Sequence, residues 1–419
     1  MPNSKRILFF AEAVTLAHVA RPLVLAAAAS EMGHETTIAC DQRYDRFVKG
    51  GAWTALPLHS ISAGRFLNAL AQGKPFYDED TLCAYVEEDM TLIKRVKPDL
   101  VVGDFRLSLS VSARLLGVPY VAVTNAYWSP YATARTLPLP VLPITKALPL
   151  PVAEVLFKAF TPFVSRQFCR PLNRVREKYG LPALKTDLRV TYTDADHVLY
   201  ADLPGMFATE PLPSNHLYIG PILWAPPMAI PAWWNSITAG KPIIYLTLGS
   251  SGPPELLAVV LDAIAGLPVT VMASTAGAAV PSRSSGSIDN DVHISDYLPG
   301  IEAAARSDLV ICNGGSPTTQ QALTAGVPVL GLASNMDQFL NMAAVVEANA
   351  GTILRADRAS RSAIRRAIEH LLSSKRFKDA AVVLSQNFTT LDSRVQFCSF
   401  VERVTGNHPL PASMQAAPE

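Results

Sequence analysis

Two glycine-rich turns are the first places where this chain could do chemistry. They read Leu248-Gly249-Ser250-Ser251-Gly252 and Asn313-Gly314-Gly315-Ser316-Pro317-Thr318-Thr319, and each follows an apolar run and precedes a helical one. A helix N-terminus exposes unpaired N–H groups and positive dipole, and glycine lets an anion approach the backbone, so both turns suit a phosphate. Such turns also cap helices, and taken alone they leave both readings open. Neither turn carries the lysine of a P-loop, and no GxGxxG follows the first apolar run, which disfavours nucleotide hydrolysis and nicotinamide chemistry. No GxSxG occurs, so a serine hydrolase of the α/β type is disfavoured too.

The elements that must position these turns alternate. Ile7-Leu8-Phe9-Phe10 is an all-apolar run, as in a parallel strand covered on both faces. A helix candidate spans Arg21 to Met32, with Gly33 as its stop. Strand-like runs recur at Thr36–Cys40, Asp99–Asp104 and Val118–Val123, with a helical stretch from Leu107 to Leu116. Residues 137–165 hold Leu-Pro repeats that cannot sit in a central strand. They read as an irregular apolar excursion leading into a helix, either a packed loop or a wall for an apolar ligand. A Pro- and Trp-rich stretch from Gly220 to Pro242 is a linker signature. The pattern then restarts, with strands at Ile243–Leu248, Val269–Ala273, Asp308–Cys312 and Val327–Leu332, and is mostly helical from Ala359 onward. Strands alternating with helices predict doubly wound parallel sheets.

Composition agrees with two such α/β halves. The chain has 419 residues, 49% hydrophobic and 17% charged, with a formal net charge of +1. That excludes global disorder and gives no broad footprint for nucleic acid. Cys40, Cys83, Cys169, Cys312 and Cys398 are scattered, odd in number and without a CxxC, so neither a disulfide framework nor a zinc site is expected. A reduced, cytoplasmic protein is expected. Glu12, His18 and Arg21 interrupt the apolar stretch from Ile7 to Ala29, and no run is long enough to predict a transmembrane helix.

The stretch from Ser295 to Met342 resembles the donor-binding signature of UDP-glycosyltransferases, nucleotide-sugar enzymes of GT-B fold. Tyr297, Asn313, Gln321 and Asp337 fall at the family's spacings without a gap. The resemblance extends to the Gly249-Ser250 turn, to Tyr218-Ile219-Gly220-Pro221 and to the first βαβ unit. It implies two Rossmann-like domains facing a cleft. Residues 1–222 would bind the acceptor, 223–240 would be a linker, and 241–380 would bind the nucleotide sugar. A helix over 381–405 would pack back on the first domain, and 406–419 would be a flexible tail.

Carried over by residue, the resemblance places Tyr297 against the base. Thr318, the amides of Gly314, Gly315 and Ser316, and Ser250 beside Gly249 would face the diphosphate. Asp337 and Gln338 would bind sugar hydroxyls. Three positions depart from the pattern: Asn313 stands for a His that helps bind diphosphate, Gly300 for a Gln, and Gln321 for a Glu that binds ribose. In Leu16-Ala17-His18-Val19-Ala20-Arg21-Pro22, which is similar to the family's loop after strand one, His18 occupies the position of the catalytic base. Asp104 matches the Asp that orients it, and parallel strands ending side by side would bring the two together. The implied activity is inverting sugar transfer from a nucleoside-diphosphate donor, UDP or dTDP, to a hydroxyl of a small apolar acceptor. Asp194-Ala195-Asp196 and Asp289-Asn290-Asp291 read DxD, the metal element of a different glycosyltransferase fold. Their contexts fit turn and loop carboxylates, so no metal and no resident cofactor is expected. Membrane contact is not expected, and a homodimer is compatible with the family. A sugar-nucleotide epimerase of this fold and a noncatalytic nucleotide-sugar-binding partner are the alternatives.

Overall fold

The computed structural model describes residues 4–406, apart from 135, 238–239, 254 and 278–290. The chain divides into two compact units. One holds residues up to Leu137, Glu154–Ile222 and the chain from Leu391; the other holds Pro138–Ala153 and Leu223–Thr390.

In the first unit, β1 (Arg6–Ala11), β2 (Glu35–Cys40), β3 (Thr54–Pro57), β4 (Leu100–Asp104), β5 (Tyr120–Thr124), β6 (His197–Tyr200) and β7 (His216–Tyr218) form a sheet of order β3-β2-β1-β4-β5-β6-β7. Every pairing is parallel, and Ala11 lies opposite Asp104. Leu8, Phe10, Val101, Leu109 and Ala122 are buried in one core on this sheet. The strands read as unbroken apolar runs because helices cover both faces. The first helix runs Ala17–Glu31, four residues earlier than the periodicity suggests, and Pro22, its sixth residue, leaves the His18 carbonyl without its helical N–H donor.

In the second unit, β8 (Ile243–Thr247), β9 (Thr270–Ser274), β10 (Val292–Ser295), β11 (Leu309–Cys312), β12 (Val329–Ala333) and β13 (Gly351–Arg355) pair in parallel, in the order β10-β9-β8-β11-β12-β13. Ile244, Leu246, Val271, Ile311 and Leu330 centre its core.

Both sheets reverse their strand order once among the described residues, between β1 and β4 and between β8 and β11. Ligands of open α/β sheets bind at the carboxyl ends of such neighbouring strands. The turns after β1, β4, β8 and β11 carry most of the candidate residues.

Two boundaries differ from the sequence reading. Residues 381–405 are not one returning helix. The helix Lys375–Phe388 stays in the second unit against the helix Ser316–Thr324, and only Ser393–Thr405 packs on Ala17–Glu31 in the first. Asp392 breaks the run by capping the last helix through Arg394 N and Val395 N. The excursion 137–165 is largely ordered. Helix Leu150–Lys178 begins within it, and Pro138–Ala153 belongs to the second unit. There Arg355 donates to the carbonyls of Leu139 and Pro140, Thr145 Oγ1 donates to Asp357, and Val141 N donates to Ser334 O. Residues 407–419 lie outside the described residues.

Candidate active site

His18 sits in the first turn of the helix after β1, and Asp104 is the last residue of β4. Though 86 positions apart in sequence, they come within 2.8 Å, from His18 Nδ1 to Asp104 Oδ1. Asp104 is buried, while His18 keeps 19% of its side chain accessible. A proton on Nδ1 directed at the carboxylate would leave the Nε2 lone pair to accept another, and Arg21 Nη2 also lies 3.3 Å from Nδ1.

Arg21, one helical turn beyond His18, was not singled out by the sequence. Its Nε donates to Asp104 Oδ2 at 2.6 Å and its Nη2 to Oδ1 at 2.9 Å, a two-point clasp. Its Nη1 donates to Asn125 Oδ1 at 2.9 Å, and Asn125 Nδ2 donates to Asp202 Oδ1 at 2.9 Å. Asp202 also accepts from Ala126 N at 2.6 Å. Arg21, Asn125 and Asp202 are all buried. A polar line therefore runs across the carboxyl ends of β4, β5 and β6 and ends on the partner of His18. A partly satisfied network of this kind would be costly, so its completeness matters.

Phe105 follows Asp104 with φ at +60°, a left-handed conformation rare for a bulky side chain. Its ring stacks on His18 with centroids 4.7 Å apart and planes 13° apart. Below that turn Arg106 is wholly buried and bonds Glu12, Asp89 and His59 O. Burial pushes Asp89 up to about 6, against the pull of Arg106 and Ser108. Phe105 also touches Phe66, Phe76 and Tyr192. Near it lies a shallow pocket lined by Phe76, Tyr77, Leu107, Phe168, Leu172 and Tyr192 among others.

In the second unit the two glycine turns meet. Asn313 Nδ2 donates to Ser251 Oγ at 3.0 Å, and Asn313 Oδ1 accepts from Gly315 N at 3.0 Å. Asn313 thus braces one turn and ties it to the other. Gly249 and Gly314 have φ of +63° and +82°, and a Cβ on Gly314 would meet Met342 at 2.6 Å. Asn341 Nδ2 donates to Gly314 O and to Thr319 Oγ1. Helix Ser316–Thr324 starts here with no acidic residue in its first turn. Thr318 is half-buried and Ser250 exposed. Burial pushes the Cys312 thiol up to about 12, so it is no nucleophile at neutral pH.

Two departures from the sequence pattern explain each other. Gln321 Nε2 donates to Trp224 O at 2.6 Å, which a glutamate could not do. Its side chain fills the space beside Gly300, where an added Cβ would lie 2.8 Å from Gln321 Oε1. Tyr297, half-buried, donates through its hydroxyl to Ala276 O at 3.1 Å.

Asp337 is half-buried in the first turn of helix Met336–Glu347. Gln338 differs from the expectation of an open sugar contact. It is wholly buried, and its Oε1 closes a capping box with Asn335 while accepting from Ser334 N. Only its Nε2 remains uncommitted. The Asn335-x-x-Gln338 spacing carried that signal.

Asp194 is claimed by Arg114 and Arg176, and Asp196 accepts from Tyr120 N. Asp289 and Asn290 lie outside the described residues, and Asp291 pairs with Lys241. No helix among the described residues is long and apolar enough to cross a membrane.

Residues 258–393 match the family described as erythromycin biosynthesis protein CIII-like, C-terminal domain. A PGL/p-HBAD biosynthesis glycosyltransferase of Mycobacterium tuberculosis strain H37Ra is 47% identical over 384 residues, 92% of this chain and 89% of that protein. A PGL/p-HBAD biosynthesis rhamnosyltransferase of Mycobacterium bovis strain BCG is 47% identical over 399 residues, 95% of this chain and 87% of that protein. The solved structure of spinosyn rhamnosyltransferase SpnG complexed with thymidine diphosphate has a TM-score of 0.68 at 19% identity, over 95% of this chain and 100% of that one. With its two doubly wound parallel sheets, the chain belongs to the UDP-glycosyltransferase-like family of GT-B fold and is a glycosyltransferase.

Proposed function

We propose that the chain is an inverting glycosyltransferase in which His18 is the general base, oriented by Asp104. The observation that carries this is the 2.8 Å His18–Asp104 bond at the strand-order reversal, held from behind by Arg21. An acceptor hydroxyl is a weak nucleophile at neutral pH. Nε2 takes its proton as the oxygen attacks the anomeric carbon, and the bond from that carbon to the diphosphate oxygen breaks. Asp104 stabilises the imidazolium that forms, and in-line attack inverts the anomeric centre.

The leaving diphosphate gains charge. The Ser316 amide, Thr318 and Ser250 are the groups we assign to it; the Gly314 and Gly315 amides would have to turn from Cys312 Sγ and Asn313 Oδ1 to join them, and no metal is assigned. Tyr297 takes the base, with Gln321 near the ribose. Asp337 takes the sugar hydroxyls, and Gln338 acts mainly by fixing the turn that carries Asp337. The relative named a rhamnosyltransferase and the solved neighbour holding thymidine diphosphate favour a dTDP-linked deoxyhexose over a UDP-sugar. The aromatic pocket beside Phe105 favours an apolar, ring-bearing acceptor.

The test is a mass-spectrometric screen of nucleotide sugars with phenolic and other apolar alcohols, followed by NMR of the product linkage. A product of inverted configuration, formed in EDTA, is expected. An isomerised nucleotide sugar made without acceptor would mark an epimerase instead, and ligand binding without turnover would mark a noncatalytic partner.

A further inference from the structure

The helix Leu150–Lys178 has two faces that do different things. Its inner face carries Phe157, Cys169, Leu172 and Val175, all buried. Its outer face leaves Val155 68%, Phe160 58% and Phe163 61% exposed, among the largest exposures of any large apolar side chain described. Val155 and Phe163 are eight residues apart, and Phe160 and Phe163 are three apart, so a helix aligns them along one side. The same side continues into Arg166 and Arg170, at three and seven residues beyond Phe163, both exposed. Lys158 is exposed but lies round the helix from Phe160, and Glu154 is the one acidic residue between positions 150 and 176. Among the described residues no carboxylate pairs with Lys158, Arg166 or Arg170. Pro162 and Pro171 lie within this helix, Pro162 between the two exposed rings, and soluble monomers rarely leave such an apolar patch in water.

We propose that this outer face docks on an anionic lipid surface, with Phe160 and Phe163 at the headgroup boundary and Arg166 and Arg170 against the lipid phosphates. Charge decides the occupant. Exposed aromatics bracketed by unpaired cations fit an interface that is apolar just beneath a negative layer, and they suit a helix lying in the membrane plane. The helix does not cross the bilayer. Its inner face supplies Phe168, Pro171 and Leu172 to the aromatic pocket, so docking would bring that pocket close to the lipid boundary.

The experiment is co-sedimentation of the full chain with vesicles of phosphatidylcholine, alone or mixed with phosphatidylglycerol. It needs no sugar transfer, so its outcome is independent of the assignment of His18. Binding to the anionic vesicles, weakened by high salt, is expected. Phe160→Ser with Phe163→Ser should weaken it by about tenfold or more, and Arg166→Glu with Arg170→Glu by a similar factor. All four positions are exposed, and a far-UV spectrum and melting curve check folding. A Phe163→Trp variant should show a blue-shifted emission on adding anionic vesicles. No binding by the unaltered chain, equal binding to neutral vesicles, or an unshifted tryptophan would overturn the proposal. So would a dimer in solution that Phe160→Ser with Phe163→Ser converts to monomer, because the face would then belong to a second copy.

Discussion

The two units meet their ligands with opposite chemistry. The first builds its site from ionisable side chains in buried contact: His18, Asp104, Arg21 and Asp202, with Glu12, Arg106 and Asp89 below. The second unit frames its glycine turns with neutral groups, Asn313, Gln321, Gln338 and Asn341, and Asp337 is the one carboxylate among its candidate residues. The difference follows from where the charge comes from. On the assignment proposed above, the first unit would hold and move a proton, which takes a titratable group with a fixed partner. The second would receive a ligand that brings its own negative charge, for which dipoles suffice. Substitutions in the first unit should therefore cost turnover, and those in the second should cost donor affinity.

The largest effect expected is Asp104→Ala. It removes the hydrogen-bond partner of both His18 and Arg21 and should lower kcat by roughly 10²–10⁴-fold, with the donor dissociation constant little changed. Calorimetry showing a matching loss of donor affinity would erase the distinction between the units. Arg21→Met should follow, with kcat down by roughly tenfold or more and KM for donor nearly constant, because Arg21 acts through Asp104. Arg21→Lys, offering one point of contact for two, should recover part of that loss. ¹⁵N NMR of His18 should show the Nδ1-protonated tautomer in the unaltered protein and a mixture in Arg21→Met. A purely structural Arg21 would lower the melting temperature and leave tautomer and kcat unmoved.

The second unit sharpens the contrast from the other side. Asn313→Asp sets a carboxylate beside the groups assigned to the diphosphate and should weaken donor binding by about tenfold. Asp337→Ala should weaken nucleotide-sugar binding several-fold and leave free nucleoside diphosphate nearly untouched, since only the sugar reaches it. Equal losses for both ligands in isothermal titration would move Asp337 out of the sugar site.

The smallest effect concerns stability. Burial lowers His216 from its ordinary 6.5 to about 4, with His197 adding to the shift. Its Nδ1 lies 2.7 Å from the Tyr200 hydroxyl. The unfolded chain protonates this ring first as pH falls below 6.5, so stability present above that value is lost toward pH 4. His216→Gln should flatten the fall in melting temperature over that window. An unchanged slope would place the acid-sensitive group elsewhere.

Much of this was legible in the sequence because it is periodic or local. Apolar runs announced the strands, and the glycine turns after Leu248 and Cys312, read as candidate phosphate sites, prove to lie where the second sheet reverses its strand order. What was hidden depends on partners distant along the chain. Arg21 reads as a polar interruption in an Ala-rich helix, and its role appears only where the ends of β4, β5 and β6 converge. Pro138–Ala153 has no period to read, because Arg355 and Ser334 of the second unit fix it. Gln338 is the opposite case: its capping-box spacing was present in the sequence, and the family resemblance drew attention to the sugar instead. Gln321 and Gly300 look like two losses until their shared space is seen.

The most direct measurement is single-turnover sugar transfer by His18→Ala, run beside calorimetry of nucleotide-sugar binding. The expected result is transfer slowed by roughly 10²–10⁴-fold with donor affinity unchanged. Near-normal transfer by that variant would contradict the assignment of His18 as the base.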